Sequence, residues 1–138
     1  GQKMSKSYNN TIALREEPEA IMQKLRTMPT DPARVRRTDP GNPDVCPVWQ
    51  LHEVYSDDGV KTWVREGCSS AGIGCLDCKQ PVIDSVLAEL GPVQERAAEF
   101  DQDPARVRAI ISEGSEAARD LAHQTLQEVR AAMGLEYI

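Results

Sequence analysis

Apolar residues recur at intervals of three and four along most of this chain, and nowhere do they alternate long enough to predict a strand. The first run, Ala20, Ile21, Leu25 and Met28, follows Glu17-Pro18, and proline at a first helical position loses no donor the helix needs. Thr30-Asp31-Pro32 then predicts the capped start of a short second helix bearing Arg34, Arg36 and Arg37, the densest basic patch in the chain. Pro40, Gly41 and Pro43 predict a rigid turn. Beyond it Asp44 is expected to cap a helix whose first turn tolerates Pro47 and whose apolar face is Val48, Leu51, Val54 and Tyr55. That places Cys46 at a helix N-terminus. The polar turn Ser56 to Gly59 leads into a helix through Val60, Trp63 and Val64 that ends near Gly67 and Cys68. From Cys75 a long helix presents Val82, Ile83, Val86, Leu87 and Leu90 on one face, and Gly91-Pro92 is expected to kink or restart it. Asp103-Pro104 opens the last helix, where Val107, Ile110, Ile111, Ala118, Leu121, Ala122, Leu126, Val129 and Met133 recur, and Gly134 is placed to end it. The expected fold is an all-α helical bundle.

Composition narrows how such a bundle can be held together. With 138 residues, 4% of them aromatic and Phe100 the single phenylalanine, one domain's core must rest on Leu, Ile, Val, Ala and Met. The apolar runs are too short to span a bilayer, so a soluble, cytoplasmic protein with no membrane partner is expected. The net charge of -6 is uneven: residues 1–79 balance, while residues 80–138 hold 5 basic against 11 acidic side chains. A nucleic-acid surface is therefore expected in the first part or near the cysteines, and the acidic tail as solvated helix faces. The chain opens on Gly1 and not on methionine, and is expected to be a piece of a longer protein.

All four cysteines fall between Cys46 and Cys78, spaced C-x21-C-x6-C-x2-C. Cys75 and Cys78 share a helix face, and Cys68 lies close upstream across Gly72 and Gly74. Cys46 arrives on its own segment, so a metal held by Cys46, Cys68, Cys75 and Cys78 would staple separate helices. One CxxC pair with two single thiols suits a [4Fe–4S] cluster at least as well as zinc, and free buried thiols or disulfides stay open. His52 is a possible substitute ligand, expected instead as a half-exposed side chain. Trp49 and Trp63 are expected to pack against the metal loop. Arg34, Arg37, Arg65 and Lys79 are the candidate nucleic-acid contacts, chosen for charge and nearness to the cysteines.

The opening stretch carries no apolar periodicity. Lysines in a mobile serine-rich loop can close over a polyphosphate, and the alternative is a solvated basic tail. Lys3-Met4-Ser5-Lys6-Ser7 is, however, KMSKS letter for letter, and here the chain resembles the class I aminoacyl-tRNA synthetases. KMSKSYNNTI, TDPARVRRTDPGNPDVCPVWQLHEVYS, GCLDCK, GPVQER and ISEGSEAARDLAHQTLQEVRAAMGL, in collinear order, resemble the C-terminal part of the bacterial tryptophanyl enzymes. The cysteine spacing resembles a subset of that family with a four-cysteine iron–sulfur cluster. The resemblance implies an ATP-binding loop at Lys3, Met4, Ser5, Lys6 and Ser7, with Lys3 and Lys6 catalytic. Residues 1–14 would end a catalytic domain lying outside the chain, and residues 15–138 would form the anticodon-binding domain with the metal site. It further implies ATP with magnesium, L-tryptophan and tRNA(Trp) as partners, and a homodimer at full length. No nucleotide-binding βαβ unit or HIGH-type histidine motif is present, His52 and His123 standing alone, so this chain by itself is expected not to activate an amino acid. The rival reading is a free-standing iron–sulfur or zinc module that binds a protein partner, and a third is an electron-transfer protein.

Overall fold

The computed structural model describes residues 4–135, and Lys3 lies outside them. Among the described residues every regular element is helical: α1 (Pro18–Thr27), α2 (Pro47–Tyr55), α3 (Asp58–Ser69), α4 (Cys75–Gln102) and α5 (Pro104–Ala132), with single 3-10 turns at Lys6–Tyr8 and Pro43–Val45. None of these helices is long and apolar enough to cross a membrane. The chain divides into two compact units, Gly1–Glu95 and Arg96–Ile138.

The first unit is built on the pairing of α1 with α4. Ile21, Leu25, Val82, Ile83 and Val86 form its core, and Ile12, Met22, Leu51, Tyr55, Leu87 and Leu90 pack around it. A second cluster, Trp49, Val64 and Ile73, with Cys46, Val60 and Cys78 against it, lies between α2, α3 and the loop before α4. Trp49 thus packs at the cysteines as expected, whereas Trp63 is 43% exposed.

Four local expectations are corrected. Residues 31–39 form no helix. Asp31 directs its carboxylate to the N–H of Ala33 at 2.9 Å and of the distant Asn42 at 2.8 Å, which ties down a loop. Asp44 lies inside the Pro43–Val45 turn, capped by the side chain of Asn42, and Cys46 itself is the N-cap of α2. Helix α4 runs through both Pro81 and Pro92 without restarting. His52, expected half-exposed, is 0% exposed.

Within the second unit, Asp103 caps α5 by accepting the N–H of Arg106 at 3.0 Å, and Gly134 closes it at φ 68°. No residue of α5 is buried.

The segment that joins the first residues to α1 is pinned by charge. Lys24 donates to the carbonyl of Thr11 at 2.7 Å and pairs with the carboxylate of Glu16, which also accepts the N–H of Ala13 at 3.1 Å. The Lys24 ammonium, then the Ala13 amide, holds the Glu16 carboxyl below the usual carboxylate range. A depressed folded pKa contributes stability that is fully present above the unfolded value, about 4.3, and is lost as pH falls through the lower folded value. Urea midpoints of the native chain should therefore exceed those of Glu16→Gln at neutral pH and converge with them as the medium is acidified below that value. A difference that persists unchanged into acid would refute the pairing.

Candidate metal and nucleic-acid site

Four thiols from three places in the chain line one cavity of about 20 Å³: Cys46 at the N-cap of α2, Cys68 near the end of α3, and Cys75 and Cys78 in the first turn of α4. All four are free. The tight turn between α3 and α4 positions them. Gly72 and Ile73 both donate to the carbonyl of Gly67, at 2.7 and 3.2 Å, and Ala71 takes the left-handed conformation at φ 58°. The carboxylate of Asp77 then accepts the N–H of Gly74 at 3.0 Å, closing the start of α4. On the other side Gly41 donates to the carbonyl of Cys68 at 2.9 Å, and a Cβ at position 41 would stand 2.6 Å from the Cys68 sulfur, so only glycine fits there.

Burial and mutual repulsion govern these thiols. Burial, then the neighbouring Cys46, Cys68 and Cys75, pushes the Cys78 thiol up to about 12. Cys68 is raised by burial as well, with Arg34 pulling the other way. Cys68 and Cys78 therefore favour the protonated thiol in the absence of a cation, and a metal would reverse that order. His52 lies 3.4 Å from the Cys78 sulfur through Nε2, and its Nδ1 is 2.8 Å from the Ser56 hydroxyl. Burial lowers its pKa, which keeps the ring neutral beside the thiol.

A tetrahedral zinc with bonds of about 2.3 Å draws its four sulfurs to within roughly 3.8 Å of one another. Among the described residues no three Cys, His, Asp or Glu side chains are gathered tightly enough to hold a metal ion. Asp31 lines the same cavity, but its two oxygens are taken by the N–H groups of Ala33 and Asn42, so the remaining donors are the four thiols, the set of a soft, thiolate-bound centre. Arg34 adds a second sign. The residue is 9% exposed, and its guanidinium donates through one terminal nitrogen to the carbonyls of Ile73 at 2.6 Å and Arg37 at 3.0 Å and places the other 3.8 Å from the Cys68 sulfur. Its Nε, also buried, has no partner. Four anionic sulfurs would need such a cation.

The candidate tRNA contacts separate into two pairs. Arg34 and Lys79 point inward, Lys79 being 5% exposed and donating to the carbonyls of Arg26 and Met28 at 2.7 and 2.6 Å, where it caps the end of α1. Both are thus engaged as internal cations. Arg37 and Arg65 reach the surface, with side chains 69% and 51% exposed. Arg65 stacks over the Trp49 ring at 4.5 Å and pairs with Asp44 at 3.1 Å, and Arg37 is 3.9 Å from Asp77. Arg36 and Arg37 also line an open groove of about 390 Å³ with Val35 and Leu76. Sequence reasoning missed the burial of His52 and the inward turn of Arg34, whose partners are 26 and 39 residues away.

Away from this site, the Lys6–Tyr8 turn shapes the lysine–serine loop. The amide of Ser5 donates to the side chain of Asn10 at 2.8 Å, the Ser5 and Ser7 hydroxyls are 2.6 Å apart, and Asn9 is left-handed at φ 51°. Met4, Lys6 and Ser7 are exposed.

Residues 1–91 match the family model described as tRNA synthetases class I (W and Y). This chain belongs to that family. The match takes in Lys3 to Ser7, the helices α1, α2 and α3, and the first part of α4. Among relatives, a protein of Ralstonia nicotianae named Tryptophan--tRNA ligase is 61% identical over 137 residues, covering 99% of this chain and 34% of that protein. One of the same name from Thermotoga maritima is 45% identical over 138 residues, covering 99% of this chain and 42% of its own length. A crystal structure of tryptophanyl-tRNA synthetase from Campylobacter jejuni superposes with a TM-score of 0.81 at 24% identity, over 98% of this chain and 43% of that one, which shows that the fold is shared. The chain thus spans between a third and a half of the length of these class I relatives.

Proposed function

We propose that this chain is the C-terminal part of a tryptophan–tRNA ligase. The observation that carries the reading is 61% identity over 137 residues, 99% of the chain, to a relative of that name. The free-standing interaction module loses ground for the same reason, since the similarity begins in the loop it would dismiss as a tail. In the full-length enzyme a carboxylate oxygen of L-tryptophan attacks the α-phosphorus of ATP and the bond to the bridging oxygen breaks, releasing pyrophosphate and leaving tryptophanyl adenylate. A ribose hydroxyl at the 3′ end of tRNA(Trp) then displaces AMP. Negative charge grows on the phosphate oxygens in the first step, and Lys3 and Lys6, with the hydroxyls of Ser5 and Ser7, stabilise it beside magnesium. Met4 completes the loop, and residues 1–14 finish a catalytic domain that the rest of the enzyme supplies. The full-length enzyme acts as a homodimer.

The helical remainder reads the anticodon. Unpaired bases need cations and planar faces on a rigid support, and Arg37 and Arg65 are the exposed candidates. Arg34 and Lys79 serve the platform from inside. Cys46, Cys68, Cys75 and Cys78 would hold a thiolate-bound centre, a [4Fe–4S] cluster in the reading of their spacing. Zinc is the alternative. When bound, the centre supplies rigidity to the loop between α3 and α4.

Full-length protein purified without oxygen should charge tRNA(Trp), and Arg37→Ala with Arg65→Ala should weaken charging while leaving tryptophan-dependent ATP–pyrophosphate exchange intact. Equal loss of both activities would remove the anticodon role. Elemental analysis with a visible spectrum decides the metal: iron and sulfide with brown colour, or colourless zinc. The isolated chain should show no exchange.

A further inference from the structure

The lysine–serine loop is exposed, yet it is not loosely attached. The Ser5 amide is held by the side chain of Asn10 at 2.8 Å. Its carbonyl accepts from Tyr8 and that of Lys6 from Asn9, both at 3.1 Å, so the turn is closed within itself. The residue after Asn10 is where the loop meets the helical unit. There Lys24 of α1 donates to the carbonyl of Thr11 at 2.7 Å and pairs with Glu16, whose own carbonyl accepts from Gln94 of α4 at 2.8 Å. Ile12 packs on the α1–α4 core. A continuous strap runs from the Ser5 amide through Asn10, Thr11 and Lys24 to both core helices.

We propose that Asn10 and Lys24 are positioning residues for the ATP-phosphate loop, an inference that rests on the ligase reading above. Neither touches a phosphate. Asn10 fixes the side of the loop that carries Ser5 and Lys24 fixes the segment behind it, so the Lys6–Tyr8 turn meets the triphosphate from a set position. Loop closure starts from few conformations and costs little entropy. Releasing either tie leaves the same lysines and hydroxyls present but spreads them over many geometries.

The test uses tryptophan-dependent ATP–pyrophosphate exchange by the full-length enzyme. Asn10→Ala should lower kcat about tenfold with the tryptophan KM unchanged, and Asn10→Asp, which keeps an acceptor for the Ser5 amide, should recover most of it. Lys24→Met should give a similar loss, and Lys24→Arg a smaller one. Because the two ties act in series, the double variant Asn10→Ala/Lys24→Met should be no slower than the slower single one. Losses that multiply would mean two independent roles and would overturn the strap. If Lys24→Met melts early, Asn10→Ala on the exposed loop decides alone: a kcat within twofold of the parent sinks the proposal. A parent enzyme with no tryptophan-dependent exchange would remove the ligase reading and this inference together, whereas an active parent with indifferent variants removes this inference only.

Discussion

Lys6→Met in the full-length enzyme is expected to lower kcat for tryptophan-dependent ATP–pyrophosphate exchange by about 10²- to 10³-fold, the usual cost of removing one preorganised donor from a developing oxyanion. Lys6 is exposed in the Lys6–Tyr8 turn beside the paired Ser5 and Ser7 hydroxyls, so methionine should disturb no packing. On the proposed ligase reading, its charge acts when the α-phosphate is attacked and charge shifts toward the departing pyrophosphate. The tryptophan KM should therefore hold while kcat and kcat/KM fall together, the pattern of an interaction made in the transition state. Lys6→Arg, which keeps the charge with a different shape, should retain part of the rate. A kcat within threefold of the parent for the methionine variant would show that the loop does not serve phosphoryl chemistry.

The second large effect is on stability. Ile83, 1% exposed, meets Ile21, Leu25, Val82 and Val86 where α1 and α4 pair. Truncation to alanine removes three carbons from a close-packed site and leaves a cavity, at a cost of about 3 kcal/mol. Val54, 74% exposed, is the control, and Val54→Ala should change stability by about 0.5 kcal/mol or less. Urea unfolding followed by circular dichroism measures both. A loss under about 1 kcal/mol for Ile83→Ala would mean that the α1–α4 pairing is not the core on which this unit rests.

What the sequence disclosed follows the range of the forces involved. The bounds of α5 were legible because Asp103, Pro104 and Gly134 act on their own neighbours, and the apolar stripe of α4 because periodicity is local. Cys46, Cys68, Cys75 and Cys78 line one cavity, in keeping with their spacing, although among the described residues no three are close enough to hold a metal ion. The short helix expected after Asp31 is absent although its carboxylate does accept the N–H of Ala33, because the second oxygen is bound to the distant Asn42 and ties the segment down as a loop. Arg34 and Lys79 looked like surface charges because nothing near them in sequence announces the carbonyls of Ile73, Arg26 and Met28 that receive them. Long side chains with several donors are the residues whose local context says least about their burial. Gly91-Pro92 reads as a kink or a restart, and α4 runs on through it to Gln102 without restarting.

The Lys79 tether carries a consequence for biosynthesis. Its two bonds bridge 53 and 51 residues, and the apolar partners of α1 lie in the same stretch of α4. A nascent chain leaving the ribosome therefore exposes α1 with its oily side uncovered until the segment around Lys79 to Val86 has cleared the exit tunnel. The first unit should close late and in one step during translation, and the interval before that step is when a chaperone has most to protect.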